Sequence, residues 1–104
     1  MQPTVTILVV TYNSAEFVID TLESIRRQSW ATLQLIIADD GSKDNTLQLC
    51  SNWLQEHQQR FIDCKLVTTE KNTGTCGNLN RGLQYVNGEW IKICLLYTSD
   101  AADE

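Results

Sequence analysis

Two short apolar segments, Val5 to Val10 and Leu33 to Ala38, each run into a polar turn and then into a helix-patterned stretch. Segments of that length suit strands covered on both faces of a parallel sheet, where no strict alternation is needed. The first is broken by Thr11-Tyr12-Asn13-Ser14, with Asn13 or Ser14 placed to cap a helix. From Ala15 to Gln28 the stripe Phe17, Val18, Thr21, Leu22 and Ile25 predicts that helix, with Glu16, Asp20 and Glu23 on its other faces. The second segment ends in Asp39-Asp40-Gly41-Ser42. A helix from Asn45 to Gln59 follows, N-capped by Asp44, with Leu47, Cys50, Trp53, Leu54 and His57 on one side.

A third unit begins at Ile62 to Thr68, a strand that Asp63 and Lys65 make more exposed. Thr69 to Thr75 is polar and contains glycine, hence a loop. Cys76 to Val86 predicts a helix through Leu79, Leu83 and Val86, closed by Asn87-Gly88 as a C-cap, and Glu89 to Ile93 opens a fourth strand. Strands alternating with helices in this way specify an α/β fold: a Rossmann-like parallel sheet with right-handed crossovers and helices on both faces.

At 104 residues the chain holds one small domain. Its net charge of −5 comes with no basic run, which argues against nucleic acid and anionic membrane surfaces as partners, because both need a cationic face. The apolar run Ile7 to Val10 is too short for a signal peptide or a membrane span. Four cysteines, at 50, 64, 76 and 94, show no C-x-x-C spacing, and His57 is the single histidine, so they read as buried or free thiols rather than a metal site.

Cys94 to Glu104 departs from the pattern before it, with neither a strand's alternation nor a helical face. It matches the in-frame translation of a transposase-type sequencing adapter, and an ATC codon for Ile93 supplies the adapter's first base. The expectation is a natural sequence over 1–93 and adapter read-through over 94–104. Asp100, Asp103 and Glu104, three of the 13 acidic residues, then carry no function.

In an open α/β sheet, ligands bind beyond the carboxyl ends of the strands. Thr11-Tyr12-Asn13 and Asp39-Asp40-Gly41-Ser42 fall at two such ends, within reach of one ligand. Tyr12 offers an aromatic face for a planar base and a hydroxyl as a polar handle. Asp39 and Asp40 point to opposite sides of the sheet, so one can cap the turn while the other accepts hydrogen bonds from a base imino group or a ribose hydroxyl. Gly41 permits the sharp turn, and Ser42 can bond the backbone locally.

The series Val9-Val10-Thr11-Tyr12-Asn13, Gln28-Ser29-Trp30, Ile36 to Thr46, Lys71-Asn72-Thr73-Gly74, Asn78 to Gly82 and Gly88 to Ile93 resembles the opening of family-2-type inverting glycosyltransferases, which have the GT-A fold. The likeness covers residues 4–93. It implies the donor-nucleotide half of an enzyme that moves a sugar from a nucleoside-diphosphate sugar, UDP-linked, to a saccharide or lipid-linked acceptor, with the sheet cut at its fourth strand and the fragment itself inactive. The donor-binding residues it implies are Thr11, Tyr12, Asn13, Asp39, Asp40, Gly41, Asn72, Gly74 and Asn80. In such enzymes the tyrosine matched by Tyr12 lies against the base, and the acid matched by Asp40 bonds its imino group. Many members carry an arginine directly before the asparagine matched by Asn80; here Leu79 stands there and Arg81 follows, so no arginine–phosphate contact is assigned. A divalent cation, Mg or Mn, would be held by an Asp-x-Asp motif expected after Ile93, and the catalytic base lies further on. With an apolar run too short for a signal peptide or span, the expectation is a cytoplasmic protein, peripheral at the inner membrane face when full-length.

Two other α/β readings fit worse. A dinucleotide-binding dehydrogenase needs a glycine-rich turn after the first strand, and Thr11 to Glu16 has no glycine. A receiver-like module needs acids after the first and third strands, where Thr11-Tyr12-Asn13 and Thr68-Thr69-Glu70 stand. The alternative that survives is a non-catalytic nucleotide-binding α/β module.

Overall fold

The computed structural model describes residues 3–97. Four strands, β1 (Val5–Tyr12), β2 (Leu33–Asp39), β3 (Asp63–Thr68) and β4 (Trp90–Tyr97), form one parallel sheet in the order β3-β2-β1-β4. Three helices connect them: α1 (Val18–Arg26), α2 (Thr46–His57) and α3 (Gly74–Leu83). Every β2 residue is buried, as a central strand with helices on both faces requires.

Alternation along the strands sorts the core. Ile7 and Val9 of β1 and Leu33, Leu35 and Ile37 of β2 pack on one face against Val18, Leu22 and Ile25 of α1 and Cys50, Trp53 and Leu54 of α2. Leu8, Val10, Ile36 and Ala38 face the other way, where Leu79 and Val86 cover them. The order of connection reverses at β1, which leads to β2 and β3 on one side and has β4 on the other, so the switch point lies at the carboxyl ends of β1 and β4, with the end of β2 next to it.

Several boundaries differ from the sequence reading, each for a local reason. α1 starts at Val18 rather than Ala15, because the Ser14 carbonyl accepts both the Phe17 and Val18 N–H groups and 15–17 form a turn. Phe17 is therefore exposed rather than part of the buried stripe. The N-cap of α2 is Asn45; Asp44, one residue earlier, accepts the Thr46 N–H at 3.0 Å and the Ala15 N–H at 3.2 Å. α3 begins at Gly74 and ends at Leu83, and Asn87-Gly88 do not cap it. Their N–H groups donate instead to Gln34 Oε1 and Thr6 Oγ1, both at 2.9 Å, which fastens the α3–β4 connection to the sheet.

β4 continues four residues past Ile93. Cys94 pairs with Val9, Leu95 with Val10, Leu96 with Thr11 and Tyr97 with Tyr12. Residues 98–104, with Asp100, Asp103 and Glu104, lie outside the described residues. All four cysteines are free thiols; Cys50 is buried and Cys76 exposed. No helix among the described residues is long and apolar enough to cross a membrane.

Candidate functional site

Adjacent carboxylates at the end of β2 point to opposite faces, as a pleated strand demands. Asp39, on the α1/α2 face, is built into the turn. Its Oδ1 accepts from Thr11 Oγ1 at 2.8 Å and Ser42 Oγ at 2.6 Å, and its Oδ2 accepts the Ser42 N–H at 3.0 Å. Thr11 and Asp39 are both completely buried. Asp39 is thus the acid that caps the turn.

Asp40 lies on the α3 face. Its Oδ1 accepts the Thr73 N–H at 2.8 Å and the Thr73 hydroxyl at 2.7 Å, and its Oδ2 accepts the Gly74 N–H at 2.9 Å. A carboxylate on the first N–H groups of a helix satisfies donors that have no intrahelical partner and suits the positive end of the helix dipole. No side chain within α3 does this, since Thr73 at the N-cap makes no side-chain cap bond. Asp40 therefore holds α3 to the end of β2. Residues 8, 10 and 12 of β1 share this face, which places Tyr12 beside Asp40 on the neighbouring strand.

Left-handed backbone shapes the loops around them. Gly41 has φ 69°, and a Cβ there would stand 3.1 Å from the Thr69 carbonyl and 3.2 Å from the Lys71 carbonyl carbon, so the β2–α2 turn packs on the β3–α3 loop through bare backbone. Gly74 has φ 84° with open space where a side chain would project. The N-terminus of α3 is thus unshielded on that side. Asn72 Oδ1 also accepts the Gly74 N–H, at 2.9 Å.

Asn13, with φ 50°, staples the two turns together: its N–H donates to Ser42 Oγ at 2.9 Å and its Oδ1 accepts the Lys43 N–H at 2.8 Å. Asp44 belongs to the same staple. Burial pushes its carboxyl up, but bonds from the Thr46 side chain and from the Thr46 and Ala15 N–H groups outweigh this and hold it below its usual range. Behind it, burial and then the charges of Asp39 and Asp44 push the Cys50 thiol up to about 12, so it is no nucleophile.

Of the residues read from the sequence, Tyr12, Asp40, Asn72 and Gly74 gather on the α3 side of the strand ends. Thr11, Asn13 and Asp39 are absorbed into the turns, and Gly41 sits between the two loops. Asn80 is exposed on α3, while the buried side of that helix is Asn78 and Gly82. Asn78, Thr73 and Arg81 stood in the motif series of the sequence without the contacts found here. Asn78 Nδ2 donates to the Ala38 carbonyl at 2.8 Å, just before the acid pair, and its spacing of four from Gly82 was the available signal of a close-packed helix face. A groove of about 510 Å³ on the α2 side, lined by Ser42, Asp44, Gln48, Ser51 and Leu66 among others, does not include Tyr12, Asp40 or Gly74.

The described residues do not fit a divalent cation: no three His, Cys, Asp or Glu side chains come together. Asp39 and Asp40 cannot substitute, because they face opposite sides of the sheet.

Comparison with known proteins covers nearly the whole described chain. The model of glycosyl transferase family 2 matches residues 6–96. A poly-β-1,6-N-acetyl-D-glucosamine synthase of Staphylococcus epidermidis is 32% identical over 91 residues, 88% of this chain and 21% of that protein. The glycosyltransferase GlyG of Streptococcus pneumoniae is 25% identical over 93 residues, 89% of this chain and 30% of that protein. Among solved structures, a mannosyltransferase from Pyrobaculum calidifontis, in complex with GDP-Man and Mn2+, superposes with a TM-score of 0.80 at 28% identity, covering 88% of this chain and 26% of that one. Staphylococcus aureus TarS in complex with UDP-GlcNAc has the same fold, with a TM-score of 0.76 at 24% identity over 88% of this chain and 26% of that one. The chain thus spans between a fifth and a third of the length of these relatives. The fold they share is GT-A.

Proposed function

The chain belongs to glycosyl transferase family 2, and from that premise we propose that residues 1–93 are the donor-nucleotide half of an enzyme that transfers a sugar from a UDP-linked donor to a saccharide or lipid-linked acceptor. The observation that carries this is the placement of Tyr12 and Asp40 on one face of adjacent strand ends, beside the unshielded N-terminus of α3. Tyr12 would lie against the base. Asp40 would accept from its imino group once the Thr73–Gly74 turn draws back, since the carboxylate is buried beneath it, and past Gly74 no side chain intervenes. The N-terminus of α3 would then face the diphosphate with its positive end. Relatives that hold UDP-GlcNAc or GDP-Man with Mn2+ support a nucleotide-sugar donor. Thr11, Asn13, Asp39, Gly41 and Asn72 serve this site by fixing the turns that carry it, and Asn80 lies at its outer margin.

The metal ligands and the catalytic base belong, on this proposal, to sequence that follows Ile93 in the parent protein, which works on the cytoplasmic side of the membrane. Residues 94–104 are adapter read-through. Cys94 to Tyr97 still pair with β1, because ladder bonds are made by backbone groups that every non-proline residue carries. Reading the source locus across codon 93 from unfragmented DNA should show an acidic Asp-x-Asp-like motif within a few codons. A frame that continues Cys-Leu-Leu-Tyr and stops after Glu104 would leave a nucleotide-binding module without transferase chemistry.

The site itself is tested by titrating the chain with uridine diphosphate. Asp40→Ala should weaken binding by about 1–3 kcal/mol, the worth of a charge-assisted hydrogen bond. Unchanged affinity removes Asp40 from base recognition. The 104-residue chain should transfer no sugar from any donor with Mg or Mn, and measurable turnover would overturn the division at Ile93.

A further inference from the structure

Arg81 sits one position beyond the asparagine matched by Asn80, where the sequence assigned it nothing, yet its guanidinium turns inward. One nitrogen, Nη1, donates to Asn78 Oδ1 at 2.7 Å and stands 4.0 Å from Asp40 Oδ1. The other, Nη2, donates to Thr73 Oγ1 at 2.8 Å. Both acceptors are themselves tied to the end of β2, Asn78 through the Ala38 carbonyl and Thr73 through Asp40. Arginine has donors and no acceptor, so the Thr73 oxygen must accept from it. The Thr73 proton is thereby directed at Asp40 Oδ1, which gives a one-way relay from Arg81 through Thr73 to the carboxylate. Asp40 is completely buried, so its orientation is set by these groups and not by solvent.

We propose that Arg81 is a positioning residue of the nucleotide site, which orients Asp40 through Thr73 and so sets affinity for the base rather than for the diphosphate. This rests on the base-reading role assigned to Asp40 above. A planar fork suits the task, since it reaches Asn78 and Thr73 at once, whereas a lysine ammonium offers one point of charge.

The test titrates the 104-residue chain with uridine, uridine diphosphate and inorganic pyrophosphate in turn. Arg81→Met should weaken uridine and uridine diphosphate alike, by about tenfold, the loss of one well-placed hydrogen bond, and leave pyrophosphate unchanged. Thr73→Val, which removes the relay hydroxyl and leaves the guanidinium, should give the same signature. The double variant should lose no more than Arg81→Met alone, and Arg81→Lys should recover only part of the affinity. A loss confined to pyrophosphate and uridine diphosphate would make Arg81 an anion contact and overturn the proposal. So would additive losses in the double variant, or a Thr73→Val chain that binds uridine like the wild type. If the wild-type chain binds no uridine, the base-reading role of Asp40 falls and takes this one with it. If the wild type binds and Arg81→Met matches it, Arg81 alone is excluded.

Discussion

On the α1/α2 face of the sheet, twelve buried side chains close on one another among the described residues; on the α3 face, four do. The second face compensates with hydrogen bonds. Gln34, 1% exposed, accepts from Thr6 Oγ1 at 2.6 Å and the Asn87 N–H at 2.9 Å, and donates to Asp63 Oδ2 at 3.0 Å and the Tyr85 carbonyl at 2.9 Å. At the opposite end of α3, Asp40 and Asn78 tie its first turns to β2. Apolar burial is non-directional and would draw α3 flat against the sheet. Polar tethers at both ends instead fix its height on the sheet, and one of them, at Asp40, lies at the candidate site. Beyond α3, Ile91, Ile93 and Leu95 of β4 remain exposed on the same face.

The comparison breaks first on a core deletion. Leu35→Ala, on the apolar face and fully buried, should cost about 2–5 kcal/mol in urea unfolding. Leu83→Ala, on α3 and 39% exposed, should cost about 1 kcal/mol or less. Equal losses would mean that α3 is packed as firmly as α1 and α2, and the contrast between the faces would be lost.

A smaller loss, about 2–3 kcal/mol, is expected for Gln34→Leu, which keeps the volume roughly but strands the buried Thr6 hydroxyl and the Asn87 N–H. Urea unfolding of this variant without loss would show that the α3 face does not depend on its polar tethers. Smaller again is Gly88→Ala. Its Cβ would stand 2.4 Å from Thr6 Oγ1 and 2.8 Å from the Thr6 nitrogen, and backbone at that distance cannot rotate away. About 1–2 kcal/mol should follow by the same measurement, and a neutral outcome would mean that the connection floats free of β1.

The two faces were also unequally legible in the sequence. The α1/α2 side announced itself through periodicity: Val18, Leu22 and Ile25, then Cys50, Trp53 and Leu54, are hydrophobic residues at helical spacing, and each is buried. On α3 the same rule was right in part: Leu79 and Val86 pack on the sheet, but it also selected Leu83, which is exposed, and passed over the buried Asn78 and Gly82. Periodicity reads hydrophobicity, and this helix also packs by a side-chain amide and a missing side chain. The site divides likewise. That Asp39 and Asp40 face opposite ways follows from strand geometry alone; which of the two is built into the turn does not, and the bonds of Asp39 to Thr11 and Ser42 decide it. That Asp40 caps α3 from 33 residues away, or that Arg81 reaches back to Thr73, depends on long-range packing that local patterns do not encode.

The smallest expected effect lies on the outer surface of the apolar face and separates polar anchoring there from the kind found under α3. Glu23 accepts from Arg26 Nη2 at 2.7 Å and Trp53 Nε1 at 2.7 Å, with His57 Nε2 at 3.6 Å, so it joins α1 to α2. The Arg26 bonds first, then Trp53, hold its carboxyl down to about 2, against the opposing effect of burial. Unfolded, the same group titrates near the ordinary value of about 4.3. Between these values the unfolded chain binds a proton that the folded chain does not, so stability falls as pH falls through that window. Above it the contribution is fully present. Urea midpoints between pH 6 and about pH 2.5 should therefore decline more steeply for the wild type than for Glu23→Gln, with the two curves parallel above about pH 5. Because the cluster is open to solvent, added salt should shrink the difference. Curves parallel throughout would show that Glu23 only decorates this face, which then rests on apolar burial alone, and the contrast with the hydrogen-bonded α3 side would be sharper still.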